Sequence, residues 1–257
     1  MGLILTFEGR TMKKTMTAMT GALLFAGAGT AHAVIPLVDV DANVGYWNAS
    51  PSGDVTSGET LDLEDDLDYS SEGHNVLSLR LAHPVPLIPN LRLRHTDMEY
   101  SGTGTADVTF EGQDYEGDVR SELDLSHFDY TLFYTPPLPF VTADLGFNFK
   151  HFDGSFDIES EDTGNSDSIS INEILPMLHA HGRVDLPLTG LGAGAEINYI
   201  AFDGDSIRDI EAYLSYSYNL FYAQGGYREF GVDVEASGDL EVDASMGGPF
   251  LRLGVSF

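Results

Sequence analysis

The chain has 257 residues and no cysteine, and its 41 acidic residues against 12 basic ones give a formal net charge of −29. This length suits one large domain, and the lack of cysteine excludes disulfides and thiolate metal sites. The acidic surplus excludes nucleic-acid binding, which requires a basic surface. No apolar run of about 18 residues follows the N-terminal segment, so no membrane-spanning helix is predicted.

The N-terminal segment has the pattern of an export signal. Lys13 and Lys14 precede a stretch of small apolar residues, which ends in the sequence Ala-His-Ala at 31–33. A charged region, a short apolar region and an A-x-A cleavage site together are typical of a secretory signal peptide. We therefore expect residues 1–33 to form an N-terminal extension plus a signal peptide, and residues 34–257 to form the exported domain. A buried N-terminal helix is the alternative.

Beyond this segment the residues alternate between apolar and polar with a period of two, which predicts β-strands with one apolar face. In one such stretch, Phe128 and Tyr130 flank Asp129. Stretches of this kind lie at 38–46, 77–82, 91–96, 127–134, 143–150, 178–186, 191–199, 209–216, 221–228 and 250–257. Leu123 and Leu125 fall out of phase with the fourth stretch and predict a β-bulge.

The connections between these stretches alternate in length. Short turns lie at 84–90, 135–139, 187–190 and 219–220, and longer, acidic, Gly/Ser-rich segments lie at 48–74, 101–120 and 153–168. In outer-membrane barrels the short turns face the periplasm and the long loops face outward. We therefore predict an all-β fold: a closed antiparallel transmembrane β-barrel of about ten strands with short periplasmic turns and long acidic extracellular loops. Eight strands is the alternative, because residues 232–242 can also be read as a loop.

A soluble lipocalin-like barrel also alternates, but it places its apolar face inside. Here the apolar face carries so many aliphatic and aromatic residues that they would overfill a narrow interior. Aromatic rings also fall near the strand ends of that face, as they do at the two lipid–water interfaces: Tyr46, Tyr134, Phe140, Tyr199, Tyr216 and Phe221. The stretch from Phe250 to Phe257 is apolar at every second position, which predicts that Phe257 is an assembly signal for insertion.

Three short stretches also resemble a known group of sequences. These are His-Pro-Val-Pro-Leu-Ile-Pro-Asn at 83–90, Ser-Glu-Leu-Asp-Leu-Ser-His at 121–127 and Leu-Pro-Met-Leu at 175–178. Together with the predicted signal peptide and Phe257, they resemble a family of small Gram-negative outer-membrane β-barrel proteins of uncharacterised function. The resemblance covers essentially all of residues 34–257. It implies the fold and an outer-membrane location, and it implies no activity.

If the apolar face meets lipid, the lumen contains seven of the nine basic residues of the exported domain. The predicted lumen charge network is Asp39, Asp41, Arg80, Arg92, Arg94, Asp129, Lys150, His181, Arg183, Glu196, Glu211, Arg228 and Arg252. Folding each hairpin about its turn places Arg80 near Arg94, Glu211 near Arg228 and His181 near Glu196. We interpret these charges as a salt-bridged plug in a narrow barrel. A charged pore lining for small solutes is the alternative.

Two groups of residues carry side chains that can bind metal ions or transfer protons. His127 with Asp129, and His179 with His181, lie on polar strand faces and could bind metal or act as bases, but no serine has a neighbouring base and no phosphate loop is present. We therefore expect no enzyme activity, no cofactor and no metal site. A dense acidic run contains five candidate ligands for weak Ca²⁺ or Mg²⁺ binding: Asp62, Glu64, Asp65, Asp66 and Asp68. Solvated surface charge is the simpler interpretation of that run.

These patterns predict an integral outer-membrane β-barrel with an occluded lumen and acidic surface loops, in a structural or surface-interaction role. The expected partners are outer-membrane lipid, lipopolysaccharide and the barrel assembly machinery, and a monomer is expected. A narrow small-solute channel is the main alternative. An outer-membrane enzyme and a soluble lipocalin-like binder are further alternatives.

Overall fold

A computed structural model describes residues 38–257 apart from 58, 86, 111–112, 161 and 237–239. The predicted leader at 1–33 lies outside these residues. Thirteen β-strands are present in the described part: β1(Asp39–Ser57), β2(Glu59–Asp62), β3(Glu72–Ala82), β4(Asn90–Thr96), β5(Glu99–Phe110), β6(Gln113–Asp124), β7(His127–Tyr134), β8(Val141–Ser160), β9(Ser166–Asp185), β10(Leu191–Phe202), β11(Asp205–Tyr218), β12(Phe221–Ala236) and β13(Leu240–Ser256). Within the described ranges, no helix has the length and apolar character needed to cross a lipid bilayer.

Ten of these strands form a closed antiparallel ring, in the order β1-β3-β4-β7-β8-β9-β10-β11-β12-β13. The ring closes because β1 pairs with β13 from Asp41 opposite Ser256 to Ser57 opposite Leu240. Backbone hydrogen bonds between Val40 and Phe257, each 2.9 Å, extend this seam to the end of the barrel. The predicted closed ten-strand barrel is therefore confirmed.

The hairpin of β12 and β13 decides the strand count. Val232 lies opposite Ala244 and Val234 lies opposite Val242, so most of the region that could be read as a loop is paired strand. The eight-strand alternative is therefore wrong. In this region Val232 and Val234 alternate with Asp233 and Glu235, as a strand pattern requires.

The two rims of the barrel differ. The turns after β3, β7, β9 and β11 are short, and they contain left-handed residues such as Leu87, Phe140 and Leu188. We call this end the short-turn rim; both the start of β1 and the end of β13 lie there. At the other end, the hairpin rim, β5 and β6 pair with each other beyond the barrel wall and β2 pairs with β1.

Segments at the hairpin rim that the sequence suggested as loops are largely strands. β1 continues to Ser57, and β5 and β6 occupy most of 101–120. These strands are mainly polar, apart from a few buried apolar residues such as Tyr100 and Val119, so they lack the sustained alternation that a lipid-facing strand requires. The predicted β-bulge at Leu123 and Leu125 is instead a break between β6 and β7, where the Leu125 amide donates to the Met98 carbonyl at 2.8 Å.

The strand faces separate sharply. In β7 every second residue is buried, beginning with His127. The outward side chains are large and apolar, with Phe147 55% and Leu214 71% exposed. The six aromatic residues predicted near strand ends are all exposed on this outer surface. The inward side chains are mostly polar in the half near the short-turn rim and mostly apolar in the half near the hairpin rim.

Candidate functional site in the barrel interior

Arg94 is at the centre of a charge network that crosses the interior of the barrel. It lies on β4, where the period-two alternation directs it inward, and its side chain is buried. Its Nε lies 3.0 Å from Asp129, and a second nitrogen lies 3.3 Å from Asp209. A third lies 3.5 Å from both Glu196 and Glu211. One guanidinium therefore connects carboxylates from β7, β10 and β11.

Asp209 is the matching anionic centre. Its carboxylate accepts hydrogen bonds from Arg228 at 2.8 and 2.7 Å and from Lys150 at 3.0 Å, in addition to the contact with Arg94. Lys150 also lies 2.9 Å from Asp129. Because all of these side chains are buried, each charge depends on its partners rather than on water.

Two further ion pairs extend the network toward the short-turn rim. Arg92 contacts both oxygens of Glu196, and Arg252 contacts both oxygens of Glu211 at 3.1 and 3.0 Å. Neutral side chains satisfy remaining acceptors: the Asn148 amide donates to Asp129 at 2.7 Å. Such bidentate, charge-assisted pairs are stronger than hydrogen bonds between neutral groups.

The network resembles a metal site at one point, but it does not fit one. His127, Asp129 and Asp209 place ligand atoms within 4.8 Å of one another. However, the Lys150 ammonium lies about midway between the two carboxylates, at 2.9 and 3.0 Å, where a cation would bind. Arg94 and Arg228 add positive charge at the same carboxylates. A divalent cation would have to displace a resident ammonium and approach two guanidinium groups.

A cavity of about 230 Å³ lies between the network and the short-turn rim. Residues of both charge signs line it, including Asp39, Arg80, Arg183 and Asp185. The cavity ends at Arg94 and at the ion pairs of Glu196 and Glu211. We call it the vestibule.

The interior near the hairpin rim is apolar. A buried cluster contains Trp47, Ala49, Leu63, Leu67, Tyr69, Val76, Met98, Tyr100, Phe152, Phe230, Ala244, Met246 and Phe250. Three of its members, Leu63, Leu67 and Tyr69, come from the segment between β2 and β3, which folds into the interior. Arg228 lies over the Trp47 ring at 4.5 Å, and Lys150 over the Phe230 ring at 5.5 Å. The charged and apolar parts are therefore in direct contact.

All thirteen residues of the predicted lumen network point toward the interior of the barrel, but the predicted neighbours differ. Arg80 lies opposite Arg92 rather than Arg94, because the turn after β3 shifts the register by two residues. Its ion pair is with Asp144 on β8 at 3.3 Å. The prediction that Arg80 and Arg94 are neighbours is therefore wrong.

The other two predicted pairs are in register but do not bind each other. Glu211 lies opposite Arg228, and Glu196 lies opposite His181. Their side chains instead bind residues across the interior, as described above for both glutamates. His181 lies 3.3 Å from Asp144 and 2.8 Å from the Tyr213 hydroxyl.

The remaining predicted residues lie near the short-turn rim. Arg183 forms an ion pair with Asp185 at 2.7 Å. Asp41 accepts a hydrogen bond from Tyr222 at 2.7 Å, and Asp39 is exposed beside it. The Phe257 side chain is 63% exposed.

Sequence reasoning missed two central carboxylates, Asp144 and Asp209. The predicted network had seven cationic residues against five carboxylates. A buried network should be close to neutral, so this imbalance was a signal that two acids were missing from it. Both missing residues lie on polar strand faces that the period-two pattern identifies.

The acidic run at 62–68 uses part of its charge to shape its own turn. The Asp62 carboxylate accepts the amides of Glu64 and Asp65 at 2.8 and 2.7 Å, and Asp66 accepts the amide of Asp62 at 2.8 Å. Glu64, Asp65 and Asp68 are exposed. The run is therefore an Asx-type turn that carries Leu63 and Leu67 inward.

The barrel is similar to solved structures of outer-membrane proteins. The outer membrane protease OmpT from Escherichia coli matches at TM-score 0.53 with 10% identity, over 85% of this chain and 97% of that one. The translocator domain of the autotransporter NalP from Neisseria meningitidis matches at TM-score 0.40 with 12% identity, over 88% and 90%. The toluene transporter TodX from Pseudomonas putida matches at TM-score 0.31 with 8% identity, over 87% and 90%.

No protein-family model matches the sequence, and no curated protein matches it. At these identities the structural matches concern the fold alone. The chain therefore has the fold of Gram-negative outer-membrane β-barrels, with ten strands and an interior crossed by buried salt bridges.

Proposed function

We propose that the chain is an integral outer-membrane β-barrel whose lumen is closed at rest, with a structural or surface-interaction role. The main support for this proposal is a continuous charge network that links strands on opposite sides of the barrel. It runs from Arg94 through Asp129, Lys150 and Asp209 to Arg228. A water-filled pore would have to break several of these buried pairs at once. Selective pores usually present rings of a single charge sign, whereas this network alternates in sign.

The outer surface supports insertion into lipid. Its large apolar side chains would be exposed to water in a soluble barrel, and a patch of that size is unfavourable on a soluble monomer. In a bilayer the short-turn rim would face the periplasm and the acidic hairpin rim would face outward. The proposed partners are outer-membrane lipid, lipopolysaccharide and, during insertion, the barrel assembly machinery.

The vestibule favours a second candidate function, a narrow channel for small solutes. It opens at the short-turn rim, and cationic groups of Arg80, Arg92 and Arg94 line it. If the network rearranged, this cavity would become the inner half of a pore.

Planar-bilayer conductance of the purified chain distinguishes the two functions. A closed barrel gives little steady conductance, whereas a channel gives a reproducible open level. Arg80→Ala, Arg92→Ala and Arg94→Ala test whether any open level depends on the lumen, because a change in ion selectivity would identify the pore lining. Arg208→Ala is the matched control, since Arg208 pairs with Glu229 on the outer surface. A selective open level in the unmodified chain would overturn the closed-lumen proposal.

A further inference from the structure

The segment at 63–69, here called the cap segment, covers the apolar half of the interior at the hairpin rim. Leu63, Leu67 and Tyr69 are buried, while the acidic residues between them face outward. Within the cap segment, the Tyr69 amide donates to the Leu63 carbonyl at 3.0 Å, and the Asp66 and Leu67 amides donate to the carbonyl of Asp62 at the end of β2, at 3.2 and 3.3 Å. Its described backbone bond to the barrel wall runs from the Leu63 amide to the Gly53 carbonyl, also at 3.0 Å. The cap segment is thus a compact turn attached mainly by three side chains.

The cap segment lies directly against two glycines of β5. A Cβ atom at Gly102 would lie 2.0 Å from the Leu67 carbonyl oxygen, and one at Gly104 would lie 1.8 Å from the Asp66 carbonyl oxygen. Both contacts involve backbone atoms, so only glycine allows this approach. The cap segment occupies its inward position because β5 lacks side chains at these two points.

Tyr69 of the cap segment and three aromatic rings beneath it form a contiguous row. The centroids of Tyr69 and Tyr100 are 6.2 Å apart, those of Tyr100 and His74 are 4.8 Å apart, and those of His74 and Trp47 are 5.9 Å apart. All four side chains are more than nine-tenths buried. The Tyr100 hydroxyl, His74 Nε2 and Trp47 Nε1 are buried, and none of them has a hydrogen-bond partner among the described residues. The Tyr69 hydroxyl lies beside the Ser121 hydroxyl.

This combination is unusual for a purely structural core. Buried polar atoms are nearly always hydrogen-bonded, because an unpartnered one loses its hydration without compensation. The closed position of the cap segment is therefore stabilised by the burial of two leucines and destabilised by each buried heteroatom that lacks a hydrogen-bond partner. A segment with such opposing contributions can change position readily, and a ligand that supplies both ring contacts and hydrogen bonds would favour the open position.

We propose that the cap segment is a gate over an outward-facing pocket for a small aromatic molecule that carries a hydroxyl or amino group. When the cap segment moves, Trp47, His74 and Tyr100 line the pocket with ring faces and hydrogen-bonding atoms. Arg228 and Lys150 form its floor, and the charge network below closes it from the vestibule. The pocket therefore binds a ligand from outside without opening a path through the barrel.

Trp47 makes the gate directly measurable, because it is the only tryptophan in the sequence. The test uses the full chain folded in detergent micelles, with folding checked by heat-modifiable gel mobility. Acrylamide quenching of Trp47 should be weak in the unmodified chain and severalfold stronger in Gly104→Ala, where the added Cβ displaces the cap segment. Gly182→Ala is the matched control, since a Cβ at Gly182 would meet nothing within 4 Å. Leu67→Ala is the second variant, which weakens closure without a clash and serves if Gly104→Ala does not fold.

Ligand chemistry is tested with 4-nitrophenol, which absorbs where tryptophan emits, at a pH that keeps the phenol neutral. Saturable shortening of the Trp47 fluorescence lifetime is expected, with tighter binding to Leu67→Ala than to the unmodified chain. The methyl ether, 4-nitroanisole, should bind about tenfold more weakly, the effect of one lost hydrogen bond. Unchanged acrylamide quenching in both cap variants would overturn the gate. Absent saturation, or equal binding of phenol and ether, would overturn the pocket. Neither result depends on conductance, so the closed-lumen proposal is tested separately.

Discussion

Replacing Asp209 with asparagine removes the anion that three buried cations share. Asp209 contacts Arg94 at 3.3 Å, Lys150 at 3.0 Å and Arg228 at 2.7 Å. The central network contains five cationic side chains and four carboxylates, so the change raises its surplus from one positive charge to two. Breaking a buried ion pair from one side costs about 3–5 kcal/mol, because the remaining charge stays buried and unpaired.

The matched control is Asp185→Asn, which breaks the ion pair with Arg183 near the short-turn rim. Asp185 is 53% exposed, so water replaces the lost partner, and pairs of this kind contribute about 0–1 kcal/mol. Unfolding of the lipid-reconstituted barrel in urea, followed by Trp47 fluorescence and by gel mobility, gives both free energies. The double variant Asp209→Asn/Lys150→Met restores the original charge surplus. It should be more stable than the sum of the two single effects by about 0.5–3 kcal/mol.

A loss of stability in Asp209→Asn no larger than that in Asp185→Asn would contradict this prediction. In that case the network would be hydrated, and its charges would not depend on one another. A double variant with strictly additive losses would show that Lys150 and Asp209 act independently. Either result would also remove the main support for a closed lumen.

Two further predictions concern insertion and the cap segment. Phe257→Asp should lower membrane levels of the barrel in cells while leaving the unfolding free energy of the folded protein nearly unchanged, because the side chain is exposed although its backbone pairs with Val40; normal membrane levels would refute its role as an assembly signal. Burial raises the pKa of Tyr69 to about 12, whereas a solvated tyrosine has a pKa of about 10. The protonated phenol therefore favours the closed position of the cap segment. The contribution of Tyr69 to closure is therefore fully present below pH 10. Between pH 10 and 12 the equilibrium constant for closure falls by up to about 100-fold. Acrylamide quenching of Trp47 should rise over that range in the unmodified chain and rise less steeply in Tyr69→Phe, where Tyr100, whose pKa burial also raises, remains with Ser121 and Glu122 as the neighbouring groups.

The strands of the barrel ring could be predicted because different surroundings constrain their two faces. In β7 the outward positions Phe128, Tyr130 and Leu132 are apolar and exposed, whereas three of the four inward positions are polar. A period of two therefore identifies both the strand and its orientation. At the hairpin rim this constraint ends, which is why β5 and β6 could not be distinguished from loops.

Hairpin geometry could have predicted one central ion pair, since Lys150 lies opposite Asp129 in the β7–β8 hairpin and contacts it at 2.9 Å. Other partners are distant in the sequence: Arg92 binds Glu196, which is 104 residues away, and Arg94 binds Asp209, which is 115 residues away. A hairpin places residues of adjacent strands opposite each other, but long side chains in a narrow closed barrel reach across the interior. Only the closed ring determines which carboxylates these arginines contact.

The sequence contains an indication of the cap segment, but the acidic composition of the surrounding run makes it hard to recognise. Leu63 and Leu67 lie within a run dominated by Asp and Glu, and such a run is normally solvated. Leucine is not expected there unless it is buried elsewhere. Two leucines four residues apart on one turn, followed by Tyr69, identify the side that faces the barrel.

The charged half of the interior is stabilised by contacts that span the barrel, whereas the cap segment is held by local contacts. A substitution in one half can therefore leave the other half unchanged. Arg94 binds carboxylates on three strands, and its removal perturbs the whole cross-section of the barrel. The cap segment is attached to the rest of the chain near Gly53 and packs against Gly102 and Gly104, so its movement is local. Gly104→Ala should therefore increase Trp47 quenching without creating conductance. Arg94→Ala is the variant that would admit ions, and it should leave the position of the cap segment unchanged.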